Sequence, residues 1–180
     1  MHRFVAARGA GPHHVTFKVP DLHAALERAR GLGYEPVGVD ESSPAWKEAF
    51  LHPKQAQGIL VQLAESHPEL ESEADAAAVR PPFPRVRSAP EAVRMLGLVL
   101  SARSADRALH QWQTLLGGEL VRERDRLAFG WPESPLRIAV QVRPDAPEGP
   151  LALELSAARR IALPEGPHPT LGVPLVQVQA

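Results

Sequence analysis

The sequence of 180 residues predicts an α+β fold made of two tandem βαβββ modules followed by extra strands. The fifteen residues AFLHPKQAQGILVQL, Ala49 to Leu63, recur without a gap as AFGWPESPLRIAVQV, Ala128 to Val142. The same order of predicted elements precedes both copies. A Pro-rich segment without sustained periodicity lies between them, and it is typical of a linker. These observations together indicate a duplicated unit.

The first module begins with an alternating segment, His14 to Val19, which predicts a strand with Val15 and Phe17 on one face. Asp21 then predicts a helix N-cap, because apolar residues follow it at helical spacing up to the glycines at 31 and 33. Three further strands complete this module, at Tyr34–Val39, Trp46–Leu51 and Ile59–Ala64.

The second module repeats this order. Its first strand is predicted at Met95–Leu100, and Ser104 is expected to cap a helix that ends at Gly117 and Gly118. Three more strands follow at Glu119–Glu123, Leu127–Trp131 and Leu136–Val142, and two strands without a counterpart in the first module are predicted at Leu151–Leu155 and Leu171–Val178. We therefore divide the chain into residues 1–66, a linker 67–92, and residues 93–180.

The composition of the chain excludes several classes of function. A formal net charge of −1 indicates neither a nucleic-acid surface nor a membrane surface, and the apolar runs are too short to span a bilayer. The chain has no cysteine, which excludes thiolate chemistry. It has no glycine-rich phosphate loop, so no nucleotide cofactor is expected, and it has neither an HExxH nor a GxSxG motif. We expect a cytoplasmic protein that acts on a small molecule.

Three segments, GPHHVTFKVPDLHAAL, GLGYEPVGV and WKEAFLHPKQAQGILVQLAES, resemble the vicinal oxygen chelate superfamily. That superfamily includes glyoxalase I, methylmalonyl-CoA epimerase, extradiol dioxygenases and bleomycin-resistance proteins. The resemblance covers residues 12–66 well and residues 94–142 through the repeat, and residues 143–180 have no match. It implies curled mixed sheets that form a cup around a divalent metal ion such as Zn, Ni, Co, Mn or Fe.

The resemblance also implies a set of metal ligands. His14 takes the first-strand position and Gln62 the last-strand position of the first module, and imidazole with an amide oxygen suits a divalent ion. In the second module the repeat places Gln141 at the last-strand position. Its first-strand position falls near Met95, where no ligand-type side chain exists, and Glu154 is a rival for the fourth ligand.

Two functions remain open at this point. One is metal-dependent lyase or isomerase chemistry on a small carbonyl or acyl-CoA substrate through a stabilised enolate, with Glu154 or Glu48 moving the proton. The other is metal-free binding of a small molecule, as in bleomycin-resistance proteins. The residues expected to line the cup or contact the substrate are Trp131, Phe129, Trp112 and Lys18.

A third possibility is an incomplete pair of modules. The opening segment RFVAARGAGPHH resembles the piece that joins a first module to a second in epimerase-like proteins. Either a preceding module or a second copy of the chain, paired through its first module, would then complete the site. We expect a homodimer in each case.

Overall fold

The structure, a computed structural model, describes residues 9–71, 93–123 and 125–178. It contains two mixed sheets and two helices, so the predicted α+β fold with two βαβββ modules and added strands is confirmed. The strands are β1 His14–Lys18, β2 Val37–Asp40, β3 Trp46–Leu51, β4 Leu60–Ser66, β5 Arg94–Ala102, β6 Glu119–Arg122, β7 Leu127–Gly130, β8 Arg137–Val142, β9 Gly149–Ser156 and β10 Leu175–Gln177. The helices are α1 Leu22–Gly31 and α2 Ala105–Ala108, which continues as a π-helical turn Leu109–Leu115, and a short 3₁₀ turn covers Pro68–Leu70.

Both helices begin where the sequence predicts. The Asp21 side chain accepts a hydrogen bond from the backbone N–H of Ala24 at 3.0 Å. The Ser104 hydroxyl accepts one from the backbone N–H of Arg107 at 3.3 Å. Each cap satisfies one of the N–H groups that a helix start leaves unpaired, so each fixes the start of its helix.

One face of each sheet packs against the helices and forms a shared core. The sheet orders are β1-β4-β3-β2 and β10-β9-β5-β8-β7-β6. Phe17 of β1 lies against Trp131 of the second module, with ring centroids 4.9 Å apart. We call the other face of each sheet its open face. Within the described ranges, no helix has the length and apolar character needed to cross a membrane.

Strand pairing shows which positions of the two modules correspond. Thr16 is paired with Gln62 between β1 and β4, and Ser101 is paired with Gln141 between β5 and β8. His14 lies two residues before Thr16, and Val99 lies two residues before Ser101. Val99 therefore corresponds to His14. The prediction placed this position near Met95, and Val99 lies four residues further along the same strand (99 − 95 = 4). Val99 likewise has no ligand-type side chain.

The β-hairpins of the two modules differ in register. Phe50 lies opposite Gln62, whereas Phe129 lies opposite Ile138, three residues short of Gln141 (141 − 138 = 3). An odd shift in register moves a side chain to the other face of a sheet. Phe50 therefore lies on the open face of its sheet, whereas Phe129 is fully buried among the core residues.

The additional strands extend the second sheet. β9 runs antiparallel along β5, and β10 runs parallel to β9. Gly97 of β5 lies between Arg137 on one side and Glu154 on the other. The predicted division of the chain remains a prediction, because residues 72–92 of the proposed linker lie outside the described residues.

Candidate functional site

The open face of the four-stranded sheet carries a chain of hydrogen bonds centred on Gln62. The Thr16 hydroxyl donates to Gln62 Oε1 at 2.6 Å, and Gln62 Nε2 donates to Glu48 Oε2 at 2.5 Å. Trp46 Nε1 donates to the same carboxylate oxygen at 2.7 Å. We call these four residues the amide network. Gln62 is only 8% exposed, so its amide needs such partners.

The amide network fixes the direction of the Gln62 side chain, with its oxygen towards β1 and its nitrogen towards β3. Glu48 belongs to the open face because it is paired with Ala64 of β4, two residues from Gln62. The carboxylate binds Gln62 and Trp46 through Oε2, which leaves Oε1 without a partner among the described residues. Glu48 therefore has one oxygen available to an external group.

His14 lies on the same open face at the start of β1, where it is exposed. Its Nδ1 is 3.2 Å from Nδ1 of His13. Burial and the neighbouring His14 lower the pKa of His13. The other ring nitrogen of His14 has no partner among the described residues. His14 can therefore meet a ligand through this second nitrogen.

A cleft of about 690 Å³ separates β1 from the second module. His14, Thr16 and Lys18 line it on one side, and Trp131 lines it from the second module. The other apolar residues in its lining include Met95, Leu98, Leu136 and Ile138. Trp131 Nε1 donates to the backbone carbonyl of Leu116 at 2.7 Å, which holds the ring in place. The cleft therefore brings together three of the predicted site residues, His14, Lys18 and Trp131.

Glu154 is fully buried and has two arginine partners. Arg126 Nη1 is 2.6 Å from Oε1, and Arg137 Nε donates to Oε2 at 2.8 Å. Glu123 also contacts both arginines. The hydrogen bond to Glu154 raises the pKa of Arg137. Because a guanidinium faces each oxygen of Glu154, we correct its predicted role from proton transfer or metal binding to a structural ion pair.

The remaining predicted residues do not join His14 and Gln62. Gln141 lies on the open face of the six-stranded sheet, where it lines a different cavity. Phe129 and Trp112 are fully buried in the core. They pack the two modules together, so the expectation that they line a cup is wrong.

The residues of one chain do not fit a metal site. A protein site for a divalent ion of this class usually supplies three or four ligands. In the described part of the chain, no three His, Cys, Asp or Glu residues are grouped so that they could hold an ion. The open face with the amide network offers one imidazole, His14, and one carboxylate, Glu48.

Comparisons with known proteins agree with the fold. No family model matches the chain, and no curated protein matches it. A solved hypothetical protein from Staphylococcus aureus is similar with a TM-score of 0.60 at 9% identity, over 99% of this chain and 70% of that one. A xylose isomerase-like TIM barrel/4-hydroxyphenylpyruvate dioxygenase fusion protein is similar with a TM-score of 0.53 at 18% identity, over 86% of this chain and 27% of that one. The chain therefore shares its fold with these two proteins, in agreement with the duplicated βαβββ architecture that its sequence predicts.

Sequence reasoning missed Thr16 and Trp46, which hold the two ends of the amide network. A signal for Thr16 was present, because it lies two residues after His14 on the polar face of an alternating strand. Trp46 and Glu48 are likewise two residues apart in one strand and share a face. Alternation therefore places each residue on the correct face, but it does not show which strand lies beside it.

Proposed function

We propose that this protein binds a small organic molecule in the cleft beside β1. The ligand has an apolar body and an anionic group, and its binding does not require a metal ion held by the residues of one chain. The observation that supports this proposal is the lining of the cleft. His14 and Lys18 are exposed on one wall, and Trp131 stands on an apolar wall of the second module. An apolar cavity with a few convergent polar groups is the usual form of a small-molecule site.

Lys18, Arg137 and Glu133 all line the cleft. Arg137 is already bound to Glu123 and Glu154, so Lys18 is the cation that can pair with an anionic group on the ligand. Lys18 is cationic, and His14 has a free ring nitrogen that can donate a hydrogen bond. Thr16 lies between them in β1, and its bond to Gln62 ties this edge strand to the centre of the sheet. The amide network therefore helps to fix the strand that carries both side chains.

An NMR titration of the ¹⁵N-labelled protein with aromatic and branched-chain carboxylates tests this proposal. We expect shifts in the backbone amides of β1 and in the Trp131 indole. Lys18→Ala should weaken binding roughly tenfold, because it removes a charge-assisted hydrogen bond in a partly desolvated site. Lys54→Ala is the matched control, since Lys54 is exposed outside the cleft. Shifts that avoid β1, or equal affinities of the two variants, would contradict the proposal.

A second candidate function is metal-dependent lyase or isomerase chemistry in a homodimer. His14 and Glu48 share an open face, and two chains paired through their first modules would bring together two imidazoles and two carboxylates. Elemental analysis with analytical ultracentrifugation tests this candidate. It predicts a dimer with near-stoichiometric metal that His14→Ala removes. A monomer, or a dimer that retains no metal after loading, would exclude it.

A further inference from the structure

The open face of the six-stranded sheet has its own cavity, separate from the cleft. Its volume is about 700 Å³. Val99 and Ala152 form an apolar part of the lining, and both are buried. Gln141 and Arg143 lie on one side of it. The cavity thus combines an apolar surface with an amide and a guanidinium.

Gln141 occupies the position that Gln62 occupies in the first module, but its surroundings differ. Gln62 has a hydroxyl donor, Thr16, and a carboxylate acceptor, Glu48. Ser101 takes the place of Thr16 beside Gln141. The Ser101 hydroxyl is buried, with the residue 1% exposed, and no described residue forms a hydrogen bond with it. The side-chain amide of Gln141 also has no partner among the described residues.

A rotation of the Gln141 side chain would satisfy both groups. If its Oε1 accepts from Ser101, as Gln62 Oε1 accepts from Thr16, its Nε2 is free to donate into the cavity. In the first module the corresponding Nε2 donates to a carboxylate of the protein itself. In the second module a carboxylate from outside the chain can take that place.

Arg143 supplies the charge for such a carboxylate. It follows Gln141 by two residues, and it corresponds to Ala64, which follows Gln62 by two. The Arg143 side chain is exposed and has no ion-pair partner among the described residues. A guanidinium binds a carboxylate through two parallel hydrogen bonds. The second module therefore has an anion-binding group, Arg143, where the first module has Ala64.

The other ionised residues that line the cavity do not repel an anion. Arg126 and Glu154 both line it, and they neutralise each other as an ion pair. The buried Val99 and Ala152 leave room for a short apolar body beside the amide and the guanidinium. This arrangement fits a small organic acid better than an inorganic anion, which would not use the apolar surface.

We propose that the open face of the six-stranded sheet is a second binding site, in which Gln141 and Arg143 hold the carboxylate of a small organic acid. This site does not use the cleft, His14 or Lys18. The test of this second site is therefore independent of the test of the proposed function.

Isobutyrate is a suitable probe, and its uncharged analogue isobutyramide is the matched ligand control. We expect millimolar isobutyrate to shift the backbone amides around Gln141 and Val99, and isobutyramide to leave them unchanged. Arg143→Ala should weaken isobutyrate binding roughly tenfold, and Gln141→Leu should weaken it by a smaller factor of about five. Arg122→Ala, which removes another exposed arginine of the second module, should bind like the wild type.

Lys18→Ala separates the two sites, because it should alter binding in the cleft and leave the shifts around Gln141 unchanged. Arg143 is exposed, so its replacement is not expected to disturb folding, and the dispersion of the same spectra checks this. Unchanged isobutyrate affinity in Arg143→Ala, equal shifts with isobutyramide, or no shift around Gln141 would each overturn the proposal.

Discussion

The two modules carry the same glutamine at the same place in the same strand, yet the two side chains are in different situations. Gln62 is bonded at both ends of its amide by Thr16 and Glu48. Among the described residues, Gln141 has no partner for its amide, and the buried hydroxyl of Ser101 beside it is also unpaired. The difference shows how duplicated modules diverge. In the first module the glutamine amide is bonded to residues of the same module, and in the second module the corresponding amide is available to a ligand.

The second difference is that the added strand β9 places β5 between two strands, β9 and β8, whereas β1 of the first module lies at the edge of its sheet. Gly97 of β5 passes so close to β8 that a Cβ atom would lie 1.9 Å from the backbone oxygen of Arg137. We expect Gly97→Ala to destabilise the protein by about 3 kcal/mol or more, measured by urea unfolding. Gly130→Ala is the control, since a Cβ there meets nothing within 4 Å. Equal stability of the two variants would show that β5 and β8 do not pair as described.

The buried ion pair is the next largest difference. Glu154→Gln leaves Arg126 and Arg137 without their common carboxylate, and breaking a buried pair in this way costs about 3 kcal/mol. Glu41→Gln is the matched control, because Glu41 forms only an exposed pair with His23. Chemical denaturation of both variants measures the effect. A Glu154→Gln protein as stable as the control would contradict the structural role of Glu154.

The two glutamines themselves give a smaller and more specific effect. Gln62→Leu removes the partner of Thr16 and one partner of Glu48, so we expect a loss of about 1–2 kcal/mol in the free energy of unfolding. Gln141→Leu breaks no hydrogen bond within the described ranges, and its free energy of unfolding should stay within about 0.5 kcal/mol of the wild type. Equal losses in the two variants would remove the basis of the comparison between the modules.

The smallest expected effect depends on pH and lies in the first module alone. Lys47, the backbone N–H of Leu22 and His67 bind the Glu65 carboxylate, and these bonds lower its pKa from 4.5 to about 2. A carboxyl group whose pKa is lowered in the folded state stabilises the protein at pH values above the pKa that it has in the unfolded chain. This contribution should be lost as the pH falls from about 4.5 to about 2.

Glu65→Gln tests this, because the variant should lose less stability than the wild type over the same range of pH. His67 has a raised pKa and is protonated throughout that range, so its contribution stays constant. Urea midpoints at a series of pH values measure the difference. Parallel curves for the two proteins would refute the assignment.

Much of the fold could be predicted because its signals are local. Alternation along β1 separates Val15 and Phe17 from His14 and Thr16, and the caps at Asp21 and Ser104 mark helix starts, and the structure agrees in each case. These features depend on a few neighbouring residues, and the order of the elements follows from them.

The pairing between strands could not be predicted in the same way. The ungapped repeat equates Phe50 with Phe129, but the shorter connection in the second module closes its hairpin earlier and turns Phe129 into the core. The ion pair of Glu154 with Arg137 forms across Gly97, and these three residues lie on different strands. A single sequence shows the face on which each side chain lies, and it does not show the neighbours.

The most direct test of the difference between the modules is the hydrogen-exchange rate of the two side-chain amides in the free protein, followed by NMR. We predict slow exchange for the Gln62 amide, because it is buried and donates to Glu48. We predict fast exchange for the Gln141 amide, which has no partner in the part of the chain that the structure describes. Slow exchange at Gln141, or equal rates at the two positions, would show that the second amide is already bonded within the protein and would contradict the account.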